Sequence, residues 1–184
     1  MSYQSEEIKK GIKLHYIETD KFKTNLCAIF ITRPLSRRGI TKETLIPAVL
    51  RRGTKNLNSQ DKINIELENL YGALIDCGIE KVGDNHVMKF YLESISDAFI
   101  PNSDVTNKSV NLLLDVIFNP LLINDKFKEE YVETEKNNIK TLIEAKINNK
   151  DTYSVNRCIE EMYKDQVYGL YKYGYVEDLK RNYI

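Results

Sequence analysis

The stretch RRGTKNLNSQDKINIELENLYGALIDCG, residues 51–78, holds the local signals that decide the fold. A polar side chain, either Asn58 or Ser59, can cap a helix by accepting a hydrogen bond from a free backbone N–H. Three apolar residues then recur at i, i+4 and i+7, the spacing of one helix face: Ile63, Leu67 and Leu70. Gly72 can end this helix, and residues 73–79 predict a strand. The stretch therefore predicts a capped helix that leads directly into a strand.

Two hairpins are predicted around this stretch. Residues 73–79 and 86–95 flank the sequence Val-Gly-Asp-Asn, a turn signal, so we expect the two strands to pair. Earlier in the chain, residues 12–19 alternate between apolar and polar, and residues 26–32 are continuously apolar, as in a strand covered on both faces. Because only a short polar turn separates these two segments, the sequence predicts that they pair with each other.

The first helices are predicted from caps and apolar spacing. Residues 33–43 predict a loop, after which Thr44 is expected to cap a short helix with Pro47 in its first turn. Proline costs little there but about 3 kcal/mol inside a helix. Residues 94–109 are polar and predict an exposed loop that carries no fold information. Residues 109–120 predict an amphipathic helix ended by its proline.

Two further helices are predicted toward the C-terminus. Asp125 is expected to cap a long helix that runs to about Asn148. Asp151 is expected to cap the next one. Three apolar residues of that helix are expected to face inward: Val155, Ile159 and Met162. Residues 176–184 predict a helix that has just begun.

The order of these elements predicts the fold class. Strands in antiparallel hairpins, with helices segregated between them, are typical of an α+β fold in which helices pack on one face of an antiparallel sheet. We expect residues 1–184 to form a single αβ domain, since this length suits one hydrophobic core.

Composition excludes several classes of function. Lys and Arg number 27 and Asp and Glu number 27, so a net charge of +0 gives no overall attraction to nucleic acid or an anionic membrane. No apolar run approaches the roughly 18 residues of a membrane span, and the N-terminus has no secretory pattern, so we expect a cytoplasmic protein. The cysteines form no CxxC pair, which favours reduced thiols. His15 and His86 both fall on predicted strands and are expected to be surface or hydrogen-bonded residues.

Three segments carry a resemblance to a known family. Residues 51–78 are similar to a Gly-Thr pair, capped helix, glycine and strand that follow the signature H-x-x-E-H in the insulinase/pitrilysin peptidases. FNPLLINDKFKEEYVETEK, residues 118–136, resembles the family's helix end, proline and long glutamate-rich helix. VYGLYKYG, residues 167–174, resembles the Tyr-Gly region that follows. The resemblance covers nearly the whole chain and implies the αβ fold of insulinase and the mitochondrial processing peptidase.

The resemblance also implies where the family's zinc site would fall. With Gly53 and Thr54 as anchors, the positions of the first zinc histidine, the catalytic glutamate, the second zinc histidine and the third zinc ligand are Thr44, Pro47, Ala48 and Leu142. None of these side chains suits zinc binding or general-base chemistry, so we expect no metal ion and no cofactor. A different register would place Glu144 or Glu135 at the last position, but one glutamate alone would not restore a site.

The function implied by this resemblance is non-catalytic. Some bacterial members of the family use a zinc-less subunit that binds peptide and pairs with a sister subunit bearing an intact H-x-x-E-H, and such chains have a second, similar half. The family's substrate adds as a strand to the sheet edge after the second helix, which here corresponds to Leu74, Ile75, Asp76, Cys77 and Gly78. An ordinary strand is the simpler interpretation, because Asp76 would discourage pairing at that edge. We expect this chain to be the N-terminal part of a longer two-domain protein.

Two other functions are left open by the sequence. An active zinc peptidase would need its H-x-x-E-H outside these residues, because the only histidines are His15 and His86. A binding domain without any role in proteolysis would share only the fold.

Overall fold

Strand β5, Asn85–Ile95, is the centre of the main sheet. It pairs antiparallel with β3, Thr24–Pro34, on one side and with β4, Leu74–Val82, on the other. The computed structural model in which this sheet is seen describes residues 1–180 of the chain. The predicted hairpin of β4 and β5 is confirmed, with Gly83 at a φ of +54° in its two-residue turn.

The predicted pairing of residues 12–19 with residues 26–32 is wrong. A strand that the sequence analysis missed, β1 at Ser2–Lys9, pairs with β2 at Ile12–Glu18 instead. The two are joined by only two residues, and Gly11 adopts a φ of +82° that suits so tight a turn. β1 escaped notice because its residues are mostly polar, which is possible since every residue of this hairpin is exposed.

Strand β3 lies at an edge of the main sheet, where the sequence predicted a strand covered on both faces. Its partly buried residues, Cys27, Ile29 and Ile31, pack against the core. Leu26 and Phe30 on the other face are 64% and 56% exposed. A continuous apolar run therefore does not establish burial on both sides.

Helices cover one face of the sheet, as the predicted fold class requires. They are α1 at Ile40–Leu50, α2 at Gln60–Asn69 and α3 at Val105–Phe118. The residues that fill the space between these helices and the sheet include Ile63, Leu67, Phe90, Leu92, Leu113 and Val116. The predicted cap and end of α2 are also confirmed, because the Ser59 side chain accepts from the Lys62 N–H and Gly72 has a φ of +75°.

Helix α1 begins earlier than predicted, so the assignment of Thr44 as its cap is wrong. The helix starts after Gly39. Just before it, the Ser36 carbonyl oxygen accepts hydrogen bonds from the backbone N–H groups of Gly39 and Ile40. Thr44 therefore lies in the second turn and Pro47 lies inside the helix. The cost of the proline is offset by burial, since Pro47 is among the most buried side chains of the protein.

The caps predicted for the last two helices are displaced. Asp125, with a φ of +60°, lies in the turn between two short strands, β6 at Leu122–Ile123 and β7 at Lys126–Phe127, and α4 begins only at Glu129. Helix α4 spans Glu129–Glu144, and a 3-10 segment extends it to Asn148. Helix α5 spans Lys150–Met162, and Asn149 rather than Asp151 caps it by accepting from the Thr152 N–H at 3.0 Å.

The predicted inward orientation of α5 is wrong as well. Val155 and Met162 are 58% and 69% exposed, and Ile159 is half-buried. Apolar spacing shows that a helix has an apolar face, but it does not show which neighbour covers that face.

The segment 167–180, which we call the strap, packs on α1 and α4. A second cluster of buried residues joins the three elements: Leu45, Ile139, Ile143, Tyr171 and Leu179. Val176–Lys180 forms a 3-10 helix at the predicted start of a last helix. The remainder of that prediction, residues 181–184, lies outside the described residues.

The loop after β5 carries fold information, contrary to the prediction. The Asp97 carboxylate accepts hydrogen bonds from the backbone N–H groups of Val105 and Thr106, at 2.6 and 3.1 Å, where α3 begins. These contacts cap α3 from eight residues away in the chain. Hydrogen bonds from the Thr106 side chain and from these backbone groups lower the pKa of Asp97 to about 2.

Replacement of Asp97 by Asn should therefore change the acid stability of the protein. Because the folded-state pKa lies below the unfolded value of about 3.9, the stabilisation is complete above that pH and is lost as the pH falls toward 2. We expect Asp97→Asn to lower Tm at pH 7, and the difference from the natural chain to shrink between pH 4 and pH 2. Asp104→Asn in the same loop is the control, since that side chain caps no backbone N–H. Equal pH profiles for all three proteins would contradict the assignment.

Candidate functional site

Helix α1 carries three of the four positions that correspond to the family's zinc site. Thr44 is buried, and its Oγ1 lies 2.9 Å from the Ile40 carbonyl oxygen and 3.2 Å from the Lys172 carbonyl oxygen, so its one hydrogen serves these two acceptors. Pro47 is buried and Ala48 half-buried. The three side chains thus serve packing and a link to the strap.

The fourth position, Leu142 on α4, points away from this packing and is 42% exposed. Of the two alternatives, Glu144 is exposed and reaches only Lys140, at 4.0 Å. Glu135 is buried against the C-terminal end of α1, where it forms an ion pair with Arg52 and accepts a hydrogen bond from Asn138. Its charge is therefore already balanced by a guanidinium.

The side chains at this place do not fit the zinc ion that the fold family implies. A catalytic zinc site needs three protein ligands of the imidazole, carboxylate or thiolate type, and α1 offers none at the two histidine positions. Within residues 1–180, no group of three or more His, Cys, Asp or Glu side chains could hold a metal ion. No step of metal-assisted hydrolysis can be assigned to these residues.

A buried polar cluster lies beside the degenerate positions. His86 on β5 contacts Glu43 of α1 through Nδ1, at 2.9 Å, and the Lys172 carbonyl oxygen through Nε2, also at 2.9 Å. A carbonyl oxygen can only accept, so Nε2 donates to Lys172 and Nδ1 faces the Glu43 carboxylate. Arg33 of β3 contacts the other oxygen of Glu43 at 2.8 Å. The cluster ties the sheet, α1 and the strap together.

This cluster was only partly visible in the sequence. His86 was expected to be a surface or hydrogen-bonded residue, and it is hydrogen-bonded and fully buried. Glu43 was not singled out. The available signal was a carboxylate in a run of residues that α1 buries, because a charge in such a place needs a partner.

Other contacts hold the strap on both of its flanks. Lys81, at the end of β4, donates to two strap carbonyl oxygens, at 2.7 and 3.1 Å, and its burial lowers its pKa. Asp178 accepts a hydrogen bond from the Thr41 hydroxyl at 3.0 Å and forms an ion pair with Arg37. The strap is therefore anchored by the main sheet and by the start of α1.

The five residues predicted to bind peptide lie on β4, the second edge of the main sheet. No other strand of the described chain pairs with its outer side. Leu74 and Asp76 are exposed on one face, whereas Ile75 is buried on the other. Cys77 is half-buried, and burial raises the pKa of its thiol to about 12, so it remains protonated and unreactive. At its outer edge β4 therefore offers backbone hydrogen-bonding groups and no reactive side chain among these five residues.

Comparisons with known proteins place these observations in context. A protein of Bacillus subtilis (strain 168) described as a probable inactive metalloprotease is 34% identical over 182 residues, which are 97% of this chain and 43% of the relative. The crystal structure of a conserved protein from Enterococcus faecalis V583 matches at 27% identity and a TM-score of 0.89, over 98% of this chain and 43% of that one. No family model matches the chain.

Two more distant structures show the same fold. One is a peptidase M16 inactive domain from Pseudomonas fluorescens, with 17% identity, a TM-score of 0.70, and 98% of this chain covered against 40% of that one. The other is pitrilysin, with 18% identity and a TM-score of 0.63. This match covers 97% of the present chain and 18% of pitrilysin. The resemblance to the insulinase/pitrilysin peptidases is confirmed. The chain has the fold of these peptidase domains, and it spans less than half the length of these relatives.

The misfit to zinc predicts that the metal has no effect on stability. A ligand that binds the folded state raises Tm, and its removal lowers it. We expect Tm to be the same, within error, in buffer, in excess EDTA and in excess Zn²⁺, as measured by differential scanning fluorimetry. A rise with Zn²⁺ that saturates at one ion per chain would contradict the argument.

The buried cluster predicts a structural role for His86. Replacement by Leu leaves Glu43 and the Lys172 carbonyl without this partner, at a cost of about 1–3 kcal/mol of unfolding free energy. Urea denaturation checks the value. His15→Leu is the matched control, because that histidine lies on the exposed β1–β2 hairpin, and it should change the unfolding free energy little. Similar losses for both variants would contradict the assignment.

Proposed function

We propose that the chain is a non-catalytic domain of an insulinase-like peptidase pair, which holds a peptide and associates with a catalytic sister subunit. The sister subunit carries the intact H-x-x-E-H and cleaves the peptide. The role proposed for this chain is to bind and position, which requires shape and backbone hydrogen bonds but no metal ion.

The observation that supports the proposal is the packing of the side chains at the positions where the resemblance implies zinc ligands. Thr44 donates a hydrogen bond to the strap, and Pro47 is buried. These side chains therefore stabilise the packing of α1. At the same time the outer edge of β4 has no strand partner within residues 1–180. Loss of the catalytic groups together with an open strand edge is the arrangement expected of a peptide-holding subunit.

Two related expectations stay predictions. The first is a second, similar domain in a longer chain. The second is a cytoplasmic location. Among the described residues, no helix is long and apolar enough to cross a membrane.

The proposal is tested on the native complex. The full-length protein is captured from its own cell extract, bound proteins are identified by mass spectrometry, and the complex is assayed for peptide cleavage with and without EDTA. We expect a chain with H-x-x-E-H to co-purify, and cleavage to need both chains and to stop with EDTA. Replacement of a motif histidine in the partner should abolish cleavage, whereas Thr44→Ala in this chain should leave it unchanged.

Two results would overturn the proposal. If no chain with H-x-x-E-H binds, the partner role fails and the inactive peptidase fold alone remains. If the full-length protein cleaves peptide without a partner, an active site lies elsewhere in that protein, and the non-catalytic role fails.

A further inference from the structure

Gly78 has no structural reason to be glycine within the described chain. The other seven glycines either have positive φ or would place a Cβ within 3.4 Å of neighbouring atoms. Gly78 has neither property, because a Cβ built on it meets nothing within 4 Å. Glycine inside a strand weakens the strand, and it often marks a place where another backbone or a ligand approaches closely.

The open face of the sheet around Gly78 is acidic. Four residues of β4 alternate onto this face: Leu74, Asp76, Gly78 and Glu80. Glu93 lies opposite Leu74 on β5 and adds another carboxylate. The one basic side chain on the neighbouring part of β5, Lys89, is paired with Glu80 at 2.8 Å. Among the described residues Asp76 has no ion pair of its own, and its charge, after the hydrogen bond with Glu80, helps to raise the pKa of Lys89.

An aromatic pair lies next to the same place. Tyr91 of β5 is opposite Asp76, and its ring packs edge-on against Phe30 of β3, with ring centroids 5.6 Å apart. Tyr91 is therefore diagonal to Gly78 across the strand pair, about 7–8 Å away, within reach of an aromatic side chain placed over the glycine. On the β5 side, Gly78 is therefore flanked by Lys89, which lies directly opposite, and by the Tyr91 ring, which lies diagonal to it.

A peptide strand added to the outer edge of β4 would meet these residues one by one. Cross-strand pairs favour opposite charge, and apolar side chains favour apolar partners. Aromatic side chains stabilise a glycine on the facing strand by covering it. The outer backbone groups of β4 belong to every second residue, so the hydrogen bonds of an added strand set the register of these side-chain pairs.

On these grounds, and resting on the proposed function, we infer that the β4 edge selects an extended basic peptide. A Lys or Arg of the peptide lies opposite Asp76, an aromatic side chain lies over Gly78, and an aliphatic side chain lies opposite Leu74. An antiparallel peptide therefore reads aromatic, any residue, basic, any residue, aliphatic, from its N-terminus to its C-terminus. The charge of Asp76, which discourages pairing with neutral strands, becomes the determinant of specificity.

The test uses labelled nine-residue peptides and the full chain, with binding followed by fluorescence anisotropy. The probe is Thr-Thr-Phe-Thr-Lys-Thr-Leu-Thr-Thr, and its two comparators carry Glu for Lys or Ala for Phe. We expect the Glu peptide to bind about 3- to 20-fold more weakly, since a favourable cross-strand pair becomes a repulsive one. This difference should shrink in 0.5 M NaCl because salt screens exposed charges. The Ala peptide should also bind more weakly.

Variants of β4 separate specificity from folding. Asp76→Lys should reverse the preference, so that the Glu peptide binds more tightly than the Lys peptide. Gly78→Val should remove the preference for Phe over Ala, and it should fold well since the structure has room for the side chain. Thr32→Lys is the control for an added lysine, because it introduces that side chain at an exposed position of the opposite sheet edge, and it should change neither preference.

The outcomes distinguish this inference from the function on which it rests. If the Lys and Glu peptides bind equally and Asp76→Lys changes nothing, the inferred peptide class is wrong, while peptide holding remains. If no peptide binds at any charge, both fail. A change in preference with Thr32→Lys equal to that with Asp76→Lys would show a general charge effect and would also overturn the inference.

Discussion

Burial of one face of β5 is the constraint on which the rest of the structure depends. Phe90 and Leu92 are fully buried on this face, and β3 and β4 flank the strand on both sides. Full burial of a side chain such as Phe90 contributes about 1.5–3 kcal/mol, which only packed helices can supply here. α2 and α3 provide that cover, and the Asp97 cap helps to set where α3 begins. The other face of the sheet is left open as a consequence.

Hydrogen bonds hold the part of α1 where the family resemblance implies a zinc site. A metal ion could link α1 to its surroundings, and here hydrogen bonds do so. Thr44 and His86 both contact the carbonyl oxygen of Lys172 in the strap, and Glu43 pairs with His86 from α1. Because each buried polar group has a partner, the cluster can be retained at little cost in free energy. Within residues 1–180, no group of three or more His, Cys, Asp or Glu side chains could hold a metal ion.

The outer edge of β4, which is unpaired within residues 1–180, combines a feature that protects it with one that weakens it. A strand edge without a partner invites unwanted pairing, and proteins usually protect it with charge. Asp76 provides such a charge on β4, yet Gly78 two residues later weakens the strand and leaves space over it. The Asp76 carboxylate can protect the strand edge and still admit a selected peptide. It repels an acidic strand and gains nothing from a neutral one, but it attracts a basic strand.

Local signals determined most of the elements. The Ser59 cap, the apolar spacing of α2, Gly72 and the turn at Gly83 each act over a few residues, so the sequence alone determined α2 and the β4–β5 hairpin. The side chains of Thr44, Pro47 and Ala48 are equally evident in the sequence, and none of them is a zinc ligand of the imidazole, carboxylate or thiolate type.

Only the tertiary structure decided how the elements meet. Strand partners are chosen by burial over the whole chain, so β3 pairs with β5 and not with its neighbour β2. Periodicity identified the apolar face of α5, but Val155 and Met162 are exposed because no element of residues 1–180 covers them. The contact of His86 with Glu43 joins residues 43 positions apart, and no local pattern records it. The sequence by itself therefore determined the local elements, whereas long-range packing decided strand partners, burial and the polar cluster, because these depend on which distant surfaces exclude water together.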